Sequence, residues 1–295
     1  MSLSVLVDIA AIIAPLFVIA GIGFAWGRSG RAFDTNMIGA LTINLGVPCL
    51  IFSTLTRLDV SPVAFGRIAG AFALATLANM AISAGLLRAL RMDVSGYVPV
   101  TTFANNGNMG LPLCLFAFGD AGLALGICAF VISSIGNFTL GMGLVSGELS
   151  FRQTAKNVVI YTIAAALVFQ WLAVPVPGWL ANTTAIVGGI SIPLMLLALG
   201  VSLSRLKVES VQRSVVLSVI RLGVGFLLGL GLAAAFGFEG AARGVLILQC
   251  AMPAAVMNYI IAVRYDRHPG EIAGVIVAST VISFATLPLL LLVVL

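Results

Sequence analysis

Residues 101–112 read Thr-Thr-Phe-Ala-Asn-Asn-Gly-Asn-Met-Gly-Leu-Pro, and this polar stretch lies inside the apolar run Val94–Gly119. Proline removes a helical hydrogen bond, and glycine tolerates non-helical backbone. We therefore predict a helix that is interrupted at Gly107–Pro112. Unwound backbone at membrane depth must line a cavity or be buried in protein. The stretch is thus the first candidate site, and an ordinary proline kink is the alternative.

The rest of the chain has the composition of an integral membrane protein. Of its 295 residues, 61% are hydrophobic and 8% are charged, whereas a soluble domain has about 25% charged residues. This excludes the soluble enzyme classes and disorder. The net charge is +5, but the basic residues lie in pairs between apolar runs and form no stripe, so we expect membrane lipid and not nucleic acid as a partner.

Ten charge-poor runs approach or exceed the length of about 20 apolar residues that a membrane-crossing helix needs. They are Ile9–Gly27, Thr35–Thr56, Ile68–Leu87, Val94–Gly119, Ala121–Gly147, Asn157–Val174, Leu180–Ser204, Ser214–Phe238, Gly244–Val263 and Ile272–Leu295. Only the eighth contains a charged residue, Arg221. We predict an all-α polytopic membrane protein with ten transmembrane helices and no separate soluble domain.

The basic residues predict the orientation of these helices. If the N-terminus lies outside, the cytoplasmic loops hold eleven basic residues and the outer loops hold three. The eleven are Arg28, Arg31, Arg88, Arg91, Arg152, Lys156, Arg205, Lys207, Arg213, Arg264 and Arg267, and the three are Arg57, Arg67 and Arg243. By the positive-inside rule, both termini lie outside. We expect the inner (plasma) membrane of a bacterial-type cell, with periplasmic termini.

Weak internal similarity divides the chain into two halves. The segment around Pro48 recurs 145 residues later around Pro193, and residues 121–126 recur 148 residues later at 269–274. We predict repeats over 1–150 and 151–295 with five helices each. Because five is odd, the second repeat enters the membrane upside down, as in many secondary transporters.

A second polar interruption occurs in the ninth run. Gln249, Met252, Pro253 and Asn258 follow one another there, so we predict that the fourth and ninth helices are both broken and cross at mid-membrane. Such a site offers amide donors and helix ends that hold an anion by their dipoles, which suits a small carboxylate. A kinked structural helix is the alternative.

Further residues are candidates for lining this site or its access path. They are Asn105, Asn106, Gly107, Asn108, Gly110, Pro112, Ser133, Ser134, Asn137, Asn44, Pro48 and Pro193, together with Arg221 for attracting anions. The alternatives are helix–helix hydrogen bonding for Ser133, Ser134 and Asn137, and packing kinks for the prolines. For Arg221 the alternative is snorkelling to the cytoplasmic surface.

Several chemistries lack the residues that they need. No acidic residue lies within a run, so a carboxylate proton relay is not expected, although a cation site of carbonyls and amides stays open. There is no phosphate-binding loop and no catalytic dyad, and the four cysteines and one histidine form no ligand set. We predict that the protein is not an enzyme and holds no metal or cofactor.

The motif Asn105-x-x-x-Met109-Gly110-x-Pro112 resembles the fourth-helix motif of the auxin efflux carrier family. That family includes the plant PIN-formed auxin exporters and bacterial relatives described as malonate or malate carriers. Further similarity occurs in 251–253, 265–269, at Pro288, around Pro48 and from Pro193 to Gly200. The resemblance covers essentially the whole chain.

This resemblance implies an inverted five-plus-five fold, similar to bile-acid:sodium symporters and sodium/proton antiporters, with broken helices 4 and 9 crossed. Helices 1, 2, 6 and 7 would form a scaffold and the contact of a homodimer, while helices 3–5 and 8–10 would move as an elevator. Asn105 would contact substrate. The expected function is secondary transport of small organic anions, such as malonate, malate or auxin-like acids, and the alternative is a sodium-coupled organic-anion symporter of the bile-acid type.

Overall fold

The computed structural model describes residues 3–58, 62–148, 158–172 and 174–295, which are helical almost throughout. The α-helices are α1 Leu3–Arg28, α2 Thr35–Leu41, α3 Val47–Arg57, α4 Pro62–Ala89, α5 Val94–Thr102, α6 Leu111–Gly136, α7 Met142–Ser146, α8 Val158–Trp171, α9 Gly178–Gly189, α10 Ser191–Arg205, α11 Val211–Ala235, α12 Gly240–Cys250, α13 Met257–Tyr265 and α14 Pro269–Val294. Turns of π-helix at Thr42–Gly46, Asn106–Gly110 and Asn137–Gly141 join α2 to α3, precede α6 and join α6 to α7. Within these ranges no strand forms beyond one isolated β-bridge, so the predicted all-α class is confirmed.

Seven helical stretches in the described part of the chain are long and apolar enough to cross a membrane. They are Val7–Arg28, Thr35–Arg57, Val63–Ala89, Asn106–Ser146, Gly178–Arg205, Val211–Ala235 and Pro269–Val294. Asn106–Ser146 has 41 residues, about twice what one crossing needs. It bends at Gly119, whose φ of 64° and ψ of −157° are not helical. The apolar helices α8 and α12 are shorter.

The outer surface of the helices is apolar. Large side chains such as Ile186, Leu227 and Val18 are more than half exposed, and Trp171 and Trp179 are exposed at the facing ends of α8 and α9. A soluble monomer rarely exposes so much contiguous apolar surface, whereas lipid accepts it. Together with the long apolar helices, this surface identifies an integral membrane protein.

Side-chain contacts show which loops share one end of the molecule. Arg205 donates from Nη1 to Thr35 Oγ1 at 2.9 Å and so joins the end of α10 to the start of α2. Five residues separate α10 from α11, whose first turn contains Arg213, and Arg213 pairs with Glu271 of α14 at 2.6 Å. All these loops belong to the set predicted to be cytoplasmic. Arg152 and Lys156, of the same set, lie outside the described residues.

The loops predicted to lie outside also contact one another. Arg67 Nη2 donates to Phe236 O at 2.6 Å and so joins the start of α4 to the end of α11. Arg243 Nη1 donates to Val293 O at 3.0 Å, which joins the start of α12 to the end of α14. Each of these four contacts therefore joins segments that the sequence assigns to the same end of the molecule.

The helices form two groups by their main contacts. In one group α1 packs along α10, and α3 packs against α8 and α9. In the other, α11 packs against α14, α12 and α4, and α6 packs against α4 and α12. The α1–α10 contact is tight, because a Cβ added at Gly200 would lie 1.9 Å from the backbone oxygen of Ala20. The predicted boundary between two repeats at residue 150 lies outside the described residues.

Candidate functional site at the crossing of two interrupted helices

Two interrupted helices cross and pair through their backbones. Residues 103–105 follow the end of α5, residues 253–255 lie between α12 and α13, and Ala104 faces Ala254 in an antiparallel bridge. Asn105 N donates to Pro253 O at 2.7 Å, and Ala255 N donates to Phe103 O at 3.2 Å. The predicted interruption at Met252–Pro253 is confirmed, since residues 251–256 are not helical.

The interruption in the fourth run lies earlier in the chain than predicted. We expected it at Gly107–Pro112, but the non-helical residues are 103–105, and Asn106–Gly110 already form a π-helical turn. Pro112 lies in the first turn of α6. The helix is already under way at that point, because the π-helical turn that begins at Asn106 runs on into α6 as one continuous stretch. The proline therefore lies directly after a wide turn of a continuous helix and does not break it.

Arg221 of α11 holds the ends of both interrupted helices. Its side chain is 2% exposed. Nη1 donates to Thr101 O at 3.2 Å and to Thr102 O at 3.0 Å, at the end of α5. Nη2 donates to Cys250 O at 2.6 Å and Nε donates to Met252 O at 3.1 Å, at the end of α12. A helix C-terminus carries roughly −0.5 of an elementary charge, so the two ends together match the guanidinium charge.

This placement overturns one interpretation of Arg221. The predicted alternative of snorkelling to the cytoplasmic surface is wrong, because the guanidinium is buried against four carbonyl groups and does not reach a surface. Its attraction of anions stays a prediction.

Asn79 of α4 also contacts Arg221 and the end of α5. With its amide turned toward the arginine, Asn79 Oδ1 accepts from Arg221 Nη1 at 2.9 Å, and Nδ2 donates to Thr101 O at 3.1 Å.

On the π-helical turn, Asn106 bonds to Gln249 of the other broken helix. Asn106 Nδ2 donates to Gln249 O at 2.8 Å and to Oε1 at 2.6 Å, and Gln249 Nε2 donates to Cys114 Sγ at 3.4 Å. Two glycines leave space for this glutamine. A Cβ at Gly110 would lie 2.3 Å from Gln249 Oε1, and one at Gly126 would lie 3.1 Å from Nε2.

Asn258 links the crossing to the helix that contains Asn137. Asn258 Nδ2 donates to Phe103 O at 3.0 Å, and Asn137 Nδ2 donates to Asn258 Oδ1 at 3.5 Å. The Phe103 ring packs onto Gly136 and Gly141, where a Cβ would lie 3.0 Å and 2.7 Å from ring atoms. Asn137, Gln249 and Asn258, which the sequence put forward separately, are therefore parts of one hydrogen-bonded crossing.

Four buried polar atoms at the crossing have no hydrogen-bond partner among the described residues. They are Thr102 Oγ1, Asn105 Nδ2, Asn106 Oδ1 and Asn137 Oδ1. Each of these side chains is more than nine-tenths buried. A buried polar atom without a partner typically costs about 1–3 kcal/mol, so native proteins rarely keep several in one place without a functional reason.

A narrow cleft opens beside Arg221 between α4 and α11. Its polar lining comes from Thr76, Asn79, Thr102, Asn106, Ser133 and Arg221. The volume is about 10 Å³, which is room for about one water molecule. Sequence reasoning missed Asn79 and Thr102. The signal for Asn79 was available, because it is the only side-chain amide in the run Ile68–Leu87, whereas nothing in the sequence distinguishes Thr102.

The remaining predicted residues differ in their surroundings. Gly107 and Asn108 are half-buried on the π-helical turn, against which α10 packs. Asn44 is exposed, and its Nδ2 donates to Ala40 O of its own helix at 2.9 Å. Pro193 is exposed and Ser134 is half-buried, whereas Pro48 is buried in the first turn of α3. The side chains of these six residues make no hydrogen bond to the crossing that the structure describes.

Sequence comparison places this architecture in a family. Residues 142–291, about half of the chain, match the family described as membrane transport protein. The chain belongs to this family. The resemblance to auxin efflux carriers is thereby confirmed.

Two archaeal relatives of this transporter have similar length. A protein of Methanothermobacter thermautotrophicus named uncharacterized transporter is 24% identical over 273 residues, which cover 87% of this chain and 88% of the relative. The uncharacterized transporter MJ1031 of Methanocaldococcus jannaschii is 23% identical over 206 residues, or 66% of this chain and 67% of that protein. The family and these names indicate a transporter and not an enzyme.

Across the ranges described, no three His, Cys, Asp or Glu residues lie close enough together to hold a metal ion. The polar groups described at the crossing are amide and hydroxyl groups, the Cys114 thiol, backbone carbonyls, helix ends and one guanidinium.

Proposed function

We propose that the protein is a secondary carrier of small organic anions, such as malonate, malate or auxin-like monocarboxylates. The observation that carries the proposal is the crossing itself, where two interrupted helices meet and buried amide groups remain without partners. A passive helix bundle gains nothing from such a crossing. Carriers, in contrast, use broken helices to bind a solute at mid-membrane.

The charges at the crossing favour an anion. Arg221 is matched by the two helix C-termini, which together carry roughly −1 elementary charge. What remains are the N-terminal ends of the other two half-helices, at Asn106 and Met257, each with roughly half a positive charge. The sequence places no acidic residue inside either interrupted run. A carboxylate would bind to these helix ends and to the Nδ2 donor of Asn105.

The topology that we propose has ten crossings in two inverted halves. It is supported by the bend at Gly119, which divides the 41-residue stretch Asn106–Ser146 into two crossings. It is also supported by the two interrupted helices and by the sorting of the loops between two ends. Both termini would then lie outside, in a plasma membrane.

We propose an elevator movement between the two groups of helices. The group around the α1–α10 contact would be the scaffold and the contact of a homodimer, and the group that contains the crossing would move. This division is supported by the helix contacts, which are most extensive inside each group. The narrowness of the cleft also supports it, because a solute larger than water enters the crossing only if helices move.

The experiment is uptake of labelled malonate, malate and indole-3-acetate by proteoliposomes that contain purified protein. We expect saturable uptake of at least one acid. Asn105→Ala should lower its uptake about tenfold, which corresponds to about 1.4 kcal/mol of lost binding.

Asn36→Ala is the matched control, because Asn36 is an exposed asparagine at the start of α2 and is not one of the candidate residues. It should leave uptake unchanged. If Asn105→Ala leaves both binding and uptake at the level of the unmodified protein, the assignment of the site is wrong. If none of the three acids is transported, the carboxylate must be abandoned as the substrate class.

A further inference from the structure

We propose that Arg221 is a resident cation, which takes the place that a coupling Na⁺ would occupy at the crossing and makes this carrier independent of Na⁺. The claim that transport is independent of Na⁺ rests on the proposed function. The claim that Arg221 occupies the place of a bound Na⁺ does not, because cation binding to the carbonyl groups is measurable without any substrate.

The geometry around Arg221 is that of a cation site. Four carbonyl oxygens, from Thr101, Thr102, Cys250 and Met252, converge on one guanidinium at 2.6–3.2 Å. They come from the C-terminal ends of two different half-helices. Carbonyls of unwound backbone and half-helix C-termini are the groups with which carriers coordinate Na⁺. In this protein those oxygens are already bonded to a side chain.

Charge balance leaves no room for a second cation beside Arg221. The two helix ends supply roughly −1 elementary charge in total, and the guanidinium already matches it. Among the described residues, Arg221 forms no ion pair with an acidic side chain, since the two pairs present are Arg213–Glu271 and His268–Asp93. A Na⁺ added here would meet a buried like charge without a carboxylate to compensate for it.

The packing of α11 keeps Arg221 in this position. A Cβ at Gly225, one turn after Arg221, would lie 2.1 Å from Cys250 O, and one at Gly229 would lie 2.9 Å from the Cα of Ile247. These two glycines let α11 lie directly on α12. The guanidinium therefore lies at a fixed distance from the end of α12, and it moves with the crossing when the helices move.

The test is thermal unfolding of the full-length protein in detergent, in NaCl and in choline chloride at equal ionic strength. The Tm of the unmodified protein should be the same in both salts. Arg221→Ala should have a lower Tm, because four buried carbonyl groups lose their donor. In this variant Na⁺ should raise the Tm by about 5 °C or more when it exceeds its Kd a hundredfold, whereas choline should not.

Two further measurements separate a bound cation from a general loss of packing. Methylguanidinium at millimolar concentration should raise the Tm of Arg221→Ala and leave that of the unmodified protein unchanged. Arg221→Lys keeps the charge, and it should recover part of the Tm and remain indifferent to Na⁺. Arg213→Ala removes an exposed arginine of the same helix, and its Tm should not become sensitive to Na⁺.

The proposal is overturned if Na⁺ specifically raises the Tm of the unmodified protein, a result that is available even if Arg221→Ala does not fold. It is also overturned if folded Arg221→Ala ignores both Na⁺ and methylguanidinium. In proteoliposomes, anion uptake that requires a Na⁺ gradient would refute this inference and leave the proposed function standing. Failure to transport any acid would refute the proposed function and leave the Tm results intact.

Discussion

The α1–α10 contact and the crossing are both places where two backbones come very close, but they are built from different residues. The α1–α10 contact is made by glycines, which have no side chain. Gly200 therefore lies against the backbone of Ala20, and Gly23 lies against the backbone of Leu197. At the crossing, Arg221, Asn258 and Gln249 surround the close approach with hydrogen bonds.

The difference follows from what each backbone needs. The helices α1 and α10 satisfy their own N–H and C=O groups, so close packing of small residues is sufficient to hold them together. An interrupted helix leaves carbonyl and N–H groups without partners, and in a membrane each must find one within the protein. The crossing therefore requires polar side chains, and it should tolerate steric change better than the α1–α10 contact does.

The largest effect should come from Gly200→Ala. The new Cβ would lie 1.9 Å from the Ala20 backbone oxygen, and a backbone atom inside a helix cannot retreat. We expect a loss of about 3 kcal/mol in the free energy of unfolding, measured by SDS titration of the purified protein. Gly21→Ala on α1 is the control, because no atom lies within 4 Å of its Cβ position. Equal stability of the two variants would mean that α1 and α10 do not pack as described.

A smaller effect should come from Gly110→Ala at the crossing. The nearest atom to the new Cβ is Gln249 Oε1 at 2.3 Å, and this side chain can move aside. The bond from Asn106 Nδ2 to Oε1 would be lost, which costs about 1 kcal/mol. Uptake of the transported acid should fall as well.

The double variant Gly110→Ala/Gln249→Ala sharpens this second prediction. With the glutamine side chain shortened, the added methyl group has no atom to displace. Within a double-mutant cycle in the same SDS titration, the two substitutions should therefore couple. If the changes in unfolding free energy from the two substitutions are strictly additive, a glycine at position 110 is not needed to leave space for Gln249.

The smallest effect should come from Asp93→Asn at the predicted cytoplasmic end. Burial raises the pKa of Asp93. Hydrogen bonds from Ser95, from the backbone N–H of Gly96 and from His268 outweigh this effect and hold the pKa of Asp93 below the ordinary 3.8. A lowered folded-state pKa stabilises the protein above pH 3.8, and this contribution disappears as the pH falls through the folded value.

Because Asp93 and His268 form a partly exposed pair, we expect Asp93→Asn to lower the free energy of unfolding by about 0.5 kcal/mol near neutral pH. Asparagine is as good an N-cap as aspartate, so the substitution removes the charge and keeps the cap. Thermal unfolding of both proteins from neutral to acidic pH provides the measurement. The stability difference between the two proteins should shrink in acid, and a difference that grows as the pH falls below 3.8 would contradict the lowered pKa of Asp93.

The crossing shows how much of the candidate site can be predicted from the sequence. Asparagine, glycine and proline inside two apolar runs were sufficient to predict two interrupted helices that meet. The position of the first interruption was not predictable in the same way, because Pro112 lies next to a π-helical turn inside a continuous helix, and nothing in the sequence distinguishes such a proline from one that breaks a helix. The role of Arg221 required the fold, since the arginine lies 120 residues along the chain from Thr101, whose carbonyl it binds. In the sequence it is an isolated charge eight residues after Arg213.

The two hydrogen bonds between residues 103–105 and 253–255 are made by main-chain atoms alone. Exchanging the side chain of Asn105, whose Nδ2 has no partner among the described residues, therefore leaves both of these hydrogen bonds in place. Evolution is free to alter the chemistry that a solute meets there, one residue at a time, without rebuilding the membrane architecture around it. A single ancestral scaffold could in this way give rise to carriers for chemically different acids.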